Sequence, residues 1–463
     1  MIDFLVNYWY YPIIILIFFT GLLLTIKLKG IQFTKGFKSL KLMFKNPNGG
    51  IGEVSAFGAL CISLSATIGT GNIIGVASAI AIGGAGALFW MIIVSILGLA
   101  TKYTEGFLAV KYRKVEDGQV TGGPYAYIEY GLGPKWKPLA KAFALFGAVA
   151  AILGIGTMTQ SNGITEAFND LFDISTKVHI FGLEFNIVSS IAGIVLTILV
   201  TLVLIGGIKR ISKVCEYVVP IMAVLYVLIC LVILLINIQS VPTALLEIFK
   251  QAFNIKSAAG GVIGYSISKA ITSGVQKGVF ANEAGLGSTP IALASAQISD
   301  PVKQGLISMG GMIVTIIICT MTGLVVVLTN SYLQGLEGIH ITSYAFNVGL
   351  NVNNFFSSLL LLLCIVFFAF TTIIGWNLYG IKCINYLSNN NKLARNIYLI
   401  LYIVAVFLGA YLKINVIWSI ADVANSLMAL PNLVALILLS KKVSEETNTS
   451  ELIVRHPNNL ETE

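Results

Sequence analysis

Charged side chains are scarce in this sequence. Only 11% of its 463 residues are Asp, Glu, Lys or Arg, whereas soluble domains carry about 25%. Hydrophobic residues make up 56% of the chain, and its mean hydropathy is +0.87. Such a chain cannot hide its apolar surface in a water-soluble core. We therefore expect an all-α membrane protein that crosses the bilayer many times.

Histidine is also rare, and cysteine follows no metal-binding pattern. The three histidines fall in predicted outer loops or the tail, and the six cysteines stand alone in or beside apolar runs. No His–carboxylate or Cys–His set occurs at metal-ligand spacing. These absences argue against a membrane-embedded enzyme and a resident cofactor. Lysines and arginines of cytoplasmic loops explain the net charge of +8, so no nucleic-acid partner is expected.

Long apolar runs dominate what is present. A bilayer core needs about 20 apolar residues per helix. Eleven spans of about that length or longer are predicted at residues 10–28, 54–81, 86–110, 140–166, 186–207, 214–238, 260–286, 304–332, 356–387, 396–412 and 415–440. Residues 1–440 are thus predicted to form a single transmembrane domain. Residues 441–463 are expected to form a mobile, polar cytoplasmic tail.

Basic residues give the direction of the spans. Lysines and arginines concentrate in the connections that lie inside if the N-terminus is outside, and the outer connections hold few. This bias predicts a protein of the cell membrane with its N-terminus outside and its C-terminus in the cytoplasm. The basic stretch IQFTKGFKSLKLMFKN, residues 31–46, is expected to be an amphipathic helix on the inner leaflet, with a plain loop as the alternative.

Glycines and hydroxyl residues interrupt the second predicted span. Residues 65–75 read SATIGTGNIIG. Such a cluster weakens a helix, and unpaired backbone groups within a membrane are tolerated only against protein or a cavity. The glycine spacing does not fit a dinucleotide fingerprint. We therefore predict a discontinuous helix; the alternative is an intact one in which Gly71 and Gly75 form a small-residue packing contact.

A second interruption is expected in the seventh span. Residues 268–290 read SKAITSGVQKGVFANEAGLGSTP, and their polar side chains must face protein, water or an interface. The glycines that permit unwinding are Gly274, Gly278, Gly285 and Gly287. The alternative is that the latter half of the segment is a re-entrant inner loop with a structural role only.

The two interrupted spans are five helices apart. Residues 54–238 and 260–440 each hold five predicted spans, and an odd number of spans gives the two halves opposite directions. The interrupted helices then come first in two inverted repeats, and residues 10–28 add one helix outside them. Transporters with inverted repeats bind substrate midway through the membrane, between such discontinuous helices.

Broken helices suit a small amphiphile and a cation. Helix N-termini offer N–H groups to a carboxylate, and exposed carbonyls and hydroxyls suit a hard cation. Gly69, Gly71 and Gly75 would let a ligand pack directly on the backbone. The acids that would carry a coupled proton are Glu105, Glu283 and Asp422. Because none of them lies clearly at a predicted break, the sequence favours a metal cation.

Further polar side chains lie in the predicted spans. Thr371 and Thr372 are adjacent hydroxyls that could bind sodium or simply bond back to the preceding helical turn. Trp376 follows one turn later and either lines the pocket or packs in the core. Gln160 could hydrogen-bond the amine or carboxylate of a ligand, or it could mark a polar outer helix end.

Three stretches of the chain resemble a known family. GGAGALFWMIIVSILG (83–98), GGPYAYIEYGLG (122–133) and SGVQKGVFANEAGLGSTPIALA (273–294) are similar to the alanine-or-glycine:cation symporters, also called sodium:alanine symporters. The resemblance extends over nearly the whole chain. Ile92 departs from it, because the family usually has a second tryptophan there, and we expect this position to serve membrane packing.

The resemblance implies the LeuT-like fold of the amino acid-polyamine-organocation superfamily, and Na⁺-coupled uptake of alanine or glycine by alternating access. In such sites the first broken helix offers its amides to the carboxylate, here those of Thr70 and Gly71 with Asn72 alongside. The positions matching the second sodium site of that fold are Ser65, Ile68, Phe368, Thr371 and Thr372. From the second broken helix the expected substrate contacts are Thr272, Ser273, Gly274 and Gln276.

Three functional classes fit a membrane protein with many spans. The pair of broken helices favours a secondary transporter that carries sodium and a small amino acid inward, with a proton-coupled amino acid transporter as the alternative. A channel would show flux far above transporter turnover, and an enzyme would need a catalytic set that the sequence lacks. The expected partners are the amino acid, sodium and the lipid bilayer, with no obligate protein partner.

Overall fold

The computed structural model describes residues 10–45, 49–116, 118–172, 177–180, 183–253, 260–411 and 414–453. Within these ranges the chain is mostly helical. Its strands form two short antiparallel hairpins, β1 (Lys114–Glu116) with β2 (Gln119–Thr121) and β3 (Lys177–Ile180) with β4 (Leu183–Asn186).

Helices follow one another along both halves of the chain. The first half holds α1 (Tyr10–Lys27), α2 (Ile31–Phe44), α3 (Ala56–Thr67), α4 (Val76–Gly83), α5 (Gly86–Lys111), α6 (Pro124–Ala126), α7 (Lys137–Leu153), α8 (Met158–Phe172), α9 (Ile187–Leu204) and α10 (Gly207–Ile236). The second half holds α11 (Val241–Phe253), α12 (Gly260–Asn282), α13 (Thr289–Leu293), α14 (Pro301–Leu328), α15 (Ile339–Leu350), α16 (Asn354–Leu387), α17 (Lys392–Gly409) and α18 (Ile414–Thr449). Short π- or 3₁₀-helical turns lie at Gly71–Gly75, Tyr127–Gly131, Pro134–Trp136, Ile238–Ser240 and Ser331–Leu333.

The described chain contains eight candidate spans, or up to ten if each of two bent helix pairs is one span. The bent pairs are α1 with α2, at 86°, and α3 with residues 71–83, at 50°. Every predicted span except the seventh coincides with one of these candidates. α12 covers the seventh predicted span but is not among them. The structure therefore supports eight to ten spans, and the count of eleven stays a prediction.

The predicted basic segment after the first span is helical. Gly30 has a left-handed backbone (φ 64°), which turns the chain from α1 into α2. α2 buries Ile31, Gln32, Ser39 and Met43 and exposes Phe33, Phe37 and Phe44. Its buried side lies against α14, where a Cβ added to Gly310 would be 2.6 Å from the Ser39 carbonyl. The amphipathic helix is confirmed, and its contact with the inner leaflet stays a prediction.

Burial divides the helices into an inner and an outer set. In the apolar 18-residue stretch of each helix, 67% of the residues are buried in α5 and α18 and 61% in α16. In α9 and α17 only 28% are buried. The outer helices expose large apolar side chains such as Ile198, Leu202 and Leu401. Lipid would cover these side chains, whereas water would not tolerate so large an apolar surface. The breaks described below lie after α3, which is buried almost throughout, and after α12.

α18 continues past residue 440, where the predicted tail begins. It ends at Thr449 and packs back on α5, with the Tyr103 and Thr447 hydroxyls 2.9 Å apart. Lys111 also pairs with Glu446 at 2.5 Å. The first part of the expected tail is thus an ordered helix, and residues 454–463 lie outside the described residues.

Candidate functional site

The first predicted interruption is present. α3 ends at Thr67. The next residue, Ile68, has an extended backbone (φ −92°, ψ 93°), and the chain resumes as the π-helical turn Gly71–Gly75. Asn72 holds this break together: its Oδ1 accepts from the Gly69 amide at 2.9 Å and its Nδ2 donates to the Ala281 carbonyl at 3.1 Å. The prediction of a discontinuous helix is confirmed here.

Gly71 and Gly75 border free space. A Cβ added at either glycine would meet no atom within 4 Å. The alternative of a tight packing contact between intact helices is therefore wrong. The cavity at these glycines is lined by Ala66, Thr67, Gly69, Gly71, Asn72, Gly75, Ile155, Gln160, Lys277, Phe280 and Ala281. It lies between the first break, the N-terminal end of α8 and one face of α12.

The cavity is small in this conformation. Its volume is about 20 Å³, little more than the roughly 10–15 Å³ that one water molecule needs. An amino acid would therefore fit only after the surrounding side chains move.

Gln160 occupies the position predicted for a ligand carboxylate. Its Oε1 accepts from the Thr70 amide at 2.9 Å, and its Nε2 donates to the Ile155 carbonyl at 2.7 Å. The Thr70 amide, one of the two amides expected to bind a carboxylate, thus donates to a side-chain oxygen that accepts a hydrogen bond as a carboxylate oxygen would. A carboxylate that bound at Thr70 would have to displace Gln160.

The residues expected from the second broken helix do not line this cavity. Ser273 donates to the Ala79 carbonyl at 2.9 Å, and Gln276 donates to Asp422 Oδ2 at 3.4 Å. A Cβ added at Gly274 would lie 2.2 Å from the Ala87 carbonyl, so this glycine permits a close approach of α5. Thr272 is also absent from the lining. Ser273, Gly274 and Gln276 thus join α12 to neighbouring helices, and none of the four residues borders the cavity in this structure.

An unbroken helix explains the difference. α12 stays helical through Gly274 and Gly278, so it presents a side-chain face to the cavity and no free backbone. That face consists of Lys277, Phe280 and Ala281, at the spacing of three to four residues that places side chains on one side of a helix.

The second interruption lies at residues 283–288, at the end of α12. The backbone there is left-handed at Glu283 (φ 51°), Gly285 (φ 89°) and Gly287 (φ 81°), and the chain resumes as α13. The break is thus confined to the C-terminal part of the stretch in which it was predicted. Glu283 is the first residue of this break, so an acid does lie at a break. The argument that favoured a metal cation because no acid lies there therefore no longer holds.

The predicted sodium ligands converge on one hydroxyl. Thr372 Oγ1 lies 2.8 Å from the Ser65 carbonyl, 3.1 Å from the Ile68 carbonyl and 2.8 Å from the Phe368 carbonyl. All of these residues are buried. Carbonyl and hydroxyl oxygens are the ligands that replace the hydration shell of a hard cation. The set therefore fits sodium as a transported ion.

Thr371 points elsewhere. Its hydroxyl donates to the Phe367 and Phe368 carbonyls at 2.9 and 3.1 Å and faces Met222 Sδ at 3.4 Å. These contacts to its own helix correspond to the back-bonding alternative. We call Thr372 Oγ1 and the three carbonyls around it the oxygen cluster. Thr371 contacts this cluster only through the Phe368 carbonyl, which it shares with Thr372.

Trp376 connects the two breaks and does not line the cavity. Its Nε1–H lies 3.2 Å from both the Ala66 carbonyl, just before the first break, and Glu283 Oε1, at the start of the second. The indole packs on Gly156, where an added Cβ would be 2.2 Å from Trp376 Cγ. Gly156 lies in a turn at residues 154–157 that separates α7 from α8. Sequence reasoning missed this turn, although two glycines marked it.

A much larger cavity, of about 750 Å³, opens on the side of Lys209 and Arg395, which is predicted to be cytoplasmic. A largely buried ion pair lies at its wall: Lys382 Nζ is 2.7 Å from both carboxylate oxygens of Glu53. Glu53 also accepts from the Val120 amide at 2.7 Å and from the Ser295 hydroxyl at 3.1 Å. These bonds join α16, β2 and the segments next to both broken helices.

Comparison with known proteins identifies the family. The sequence profile of the Sodium:alanine symporter family matches residues 1–456. The chain belongs to this family. It is 49% identical over 442 residues to an uncharacterized transporter of Haemophilus influenzae, covering 95% of this chain and 93% of that protein. It is 41% identical over 449 residues to the sodium/alanine symporter AgcS of Methanococcus maripaludis, covering 95% of this chain and 94% of AgcS.

A solved structure gives the fold of this sodium:alanine symporter family member. The crystal structure of MhsT in complex with L-phenylalanine matches with a TM-score of 0.62 at 12% identity, covering 87% of this chain and 95% of MhsT. This similarity establishes the LeuT fold. Membership of the family makes the chain a multi-pass, cation-coupled amino acid symporter and not an enzyme.

Proposed function

We propose that this symporter carries alanine or glycine into the cell together with sodium by alternating access. One observation carries the proposal: three backbone carbonyls converge on the Thr372 hydroxyl directly beside a glycine-bordered cavity. Gly69 joins the two features, because it lines the cavity and an added Cβ there would lie 2.7 Å from Thr372 Oγ1. An ion and a small solute bound side by side would stabilise each other.

The substrate is proposed to lie against the first break. Its carboxylate takes the Thr70 and Gly71 amides after Gln160 moves aside, and Asn72 keeps the turn in place. Gly71 and Gly75 leave room for a small solute only, and Phe280 and Ala281 offer an apolar wall to a methyl group. These features favour alanine and glycine over larger amino acids. Ser273, Gly274, Gln276 and Trp376 are proposed to act through helix packing, outside direct contact with the substrate.

The ion is proposed to be sodium, held by Ser65, Ile68, Phe368 and Thr372. No ligand in this set titrates near neutral pH, which favours a metal cation over a proton. Thr371 would join only if its hydroxyl turned away from Met222. Each sodium that moves inward gains about 2.3 kcal/mol per 100 mV of membrane potential, which would drive accumulation of the amino acid.

The direction of release is proposed from the large cavity. With the N-terminus outside and the C-terminus inside, the cavity at Glu53 and Lys382 opens to the cytoplasm. Substrate and sodium would leave through it once the segments next to both breaks separate. The repeats at 54–238 and 260–440 would supply the two moving bundles of the cycle.

Uptake into proteoliposomes tests the proposal. Labelled alanine and glycine are offered to purified protein under an inward Na⁺ gradient or an inward H⁺ gradient. We expect concentrative uptake of at least one of them with the Na⁺ gradient, and slower uptake by Thr372→Ala at the same sodium concentration. Thr320→Ala is the matched control, because that hydroxyl bonds only to the Ile316 carbonyl of its own helix, at 2.7 Å. Uptake driven by the H⁺ gradient alone would favour the proton-coupled alternative.

A further inference from the structure

Three charged side chains lie together in the core beneath the second break. Lys102 and Glu105 come from α5, and Glu283 is the first residue of the break. Their relative exposures are 2%, 0% and 0%. Each is within electrostatic range of the other two. Neither the substrate cavity nor the proposed sodium ligands include any of them.

Lys102 does not form an ion pair with either carboxylate. Its Nζ donates to the Glu283 backbone carbonyl at 3.2 Å and to the Thr289 hydroxyl. Both acceptors are neutral oxygens of the second break and of the helix that follows it. The Lys102 ammonium therefore donates hydrogen bonds to the unwound segment, and the carboxyl groups of Glu105 and Glu283 accept hydrogen bonds from other residues.

The two carboxyl groups accept hydrogen bonds from different elements. Glu283 Oε1 accepts from Trp376 at 3.2 Å and its Oε2 accepts from Ser288 at 2.5 Å. Glu105 Oε1 accepts from the Gly285 amide at 3.1 Å and from Asn432 at 2.8 Å. Glu105 Oε2 is fully buried and accepts no hydrogen bond of standard geometry from the described residues, although the Gly287 amide lies near this carboxyl.

Charge balance requires one more positive charge. With both acids ionised, one ammonium and two carboxylates leave a net charge of −1 in the dry core, which costs several kcal/mol or more. A metal ion is disfavoured, because it needs several oxygen ligands and three of the four carboxyl oxygens already accept hydrogen bonds. A proton needs only one free oxygen, and Glu105 Oε2 supplies it.

We propose that Glu105 and Glu283 together hold one exchangeable proton, which is bound when the site is closed and released when it opens to the cytoplasm. The other titratable groups that face the pair are Lys102, Tyr127 and Tyr379. The proton belongs to the pair, since two interacting carboxyl groups titrate as one coupled system. This inference rests on the proposed function, to which it adds a second ion.

Trp376 provides the link to the transport site. Its indole N–H is shared between Glu283 and the Ala66 carbonyl, and Ala66 adjoins Ser65 of the oxygen cluster. The next residue, Asn377, lines the large cavity. When that side opens, a water accepts the proton: the carboxyl O–H bond breaks and its electron pair stays on the carboxylate. The added negative charge then draws the Trp376 N–H toward Glu283 and away from the first break.

Infrared difference spectroscopy of purified protein at neutral pH tests the stored proton without any substrate. The carbonyl stretch of a protonated carboxyl is compared in wild type, Glu105→Gln, Glu283→Gln and Lys102→Met. We expect each Gln variant to lose one carboxyl band, because the remaining acid ionises opposite Lys102. Lys102→Met should gain a second band, which a merely structural role would not produce. Glu129→Gln, a partly exposed acid paired with Lys137, should change nothing.

Calorimetry of alanine binding in sodium then tests exchange. The measurement is made at the higher pH at which substrate-free wild type has lost its carboxyl band, in two buffers of different ionisation enthalpy. There the wild type should take up as much as one proton per alanine, and either Gln variant should take up none. Equal heats in both buffers for the wild type at that pH, or unchanged carboxyl bands in both Gln variants, would overturn the inference. A wild type that binds neither alanine nor glycine refutes the proposed function instead, and the infrared result still decides whether the proton is present.

Discussion

The Thr372 hydroxyl lies 2.8 Å from the Ser65 carbonyl, across the gap between α16 and α3. The same oxygen is within 3.1 Å of the Ile68 and Phe368 carbonyls. A hydroxyl has one proton to donate, so it cannot satisfy three acceptors at once. The cluster therefore has spare accepting capacity in the core, which a bound cation would use.

Removing this hydroxyl should weaken sodium binding more than removing its neighbour. Losing one oxygen contact to a charged ligand costs about 1.5–3 kcal/mol, so Thr372→Ala should lower sodium affinity roughly tenfold to a hundredfold. Thr371→Ala should cost less, because its hydroxyl bonds mainly to its own helix. Sodium titration of alanine uptake measures both, with Thr320→Ala as the control. Equal sodium affinity in Thr372→Ala and wild type would refute the assignment.

Gly71 should not tolerate a side chain if alanine is to bind. Gly71→Ala should fold, because the new Cβ meets no atom within 4 Å, but the methyl group enters a cavity that is already small. We expect alanine affinity to fall at least tenfold, and Gly71→Leu to abolish binding. Gly36→Ala is the matched control, since its Cβ would make one ordinary contact with Ile313 at 3.9 Å. Scintillation proximity binding in detergent checks this, and undiminished binding in Gly71→Leu would contradict the proposed substrate position.

Lys382 and Glu53 should behave as one unit in a double-mutant cycle. Their side chains are 12% and 9% exposed, and removing one partner of a buried pair costs about 3–5 kcal/mol because it leaves an unpaired charge. Lys382→Met and Glu53→Gln should each lower the melting temperature of the purified protein substantially. The double variant should lose much less than the sum of the two. Additive losses would show that the two residues contribute independently.

The first break was predictable because its cause is local. Glycines and hydroxyl residues within an apolar run already indicate a helix that cannot remain continuous, and residues 68–70 are where the structure leaves the helix. The carbonyls of Ser65, Ile68 and Phe368 were predicted from the family resemblance, by matching the first break to the broken helix of the LeuT-like fold. The hydroxyl's three contacts depend on how α16 packs against α3, and no sequence pattern encodes that distance.

The second break shows the limit of the same argument. Gly274 and Gly278 looked as able to unwind as Gly285 and Gly287, yet only the latter pair has a positive φ. Gly274 is needed for a different reason, the close approach of α5. A sequence does not say whether a glycine is present for backbone freedom or for packing. Lys277, Phe280 and Ala281 were missed as cavity residues for this reason.

A pH-sensitive contact joins α8 to α15 on the side predicted to be extracellular. His340 Nδ1 lies 2.7 Å from Asp170 Oδ1, and Ser343 donates to the other carboxylate oxygen at 2.6 Å. The hydrogen bond to Asp170 raises the pKa of His340 above its usual range, against the opposing effect of partial burial. The protonated imidazole is thus favoured in the folded state. Its contribution to stability is complete below the unfolded pKa of about 6.5 and is lost as pH rises through the higher folded pKa.

His340→Gln should therefore lower the melting temperature at about pH 6 and leave it nearly unchanged at about pH 9, where the native imidazole is neutral. The effect should be modest, because the imidazole is 58% exposed and solvent screens the pair. Asp170→Asn should flatten the same part of the pH profile, since it removes the acceptor that favours the imidazolium. Melting curves of wild type and both variants in detergent across this range provide the measurement. A constant difference between wild type and His340→Gln at all pH values would mean that packing, and not the charge of the imidazole, accounts for the contact.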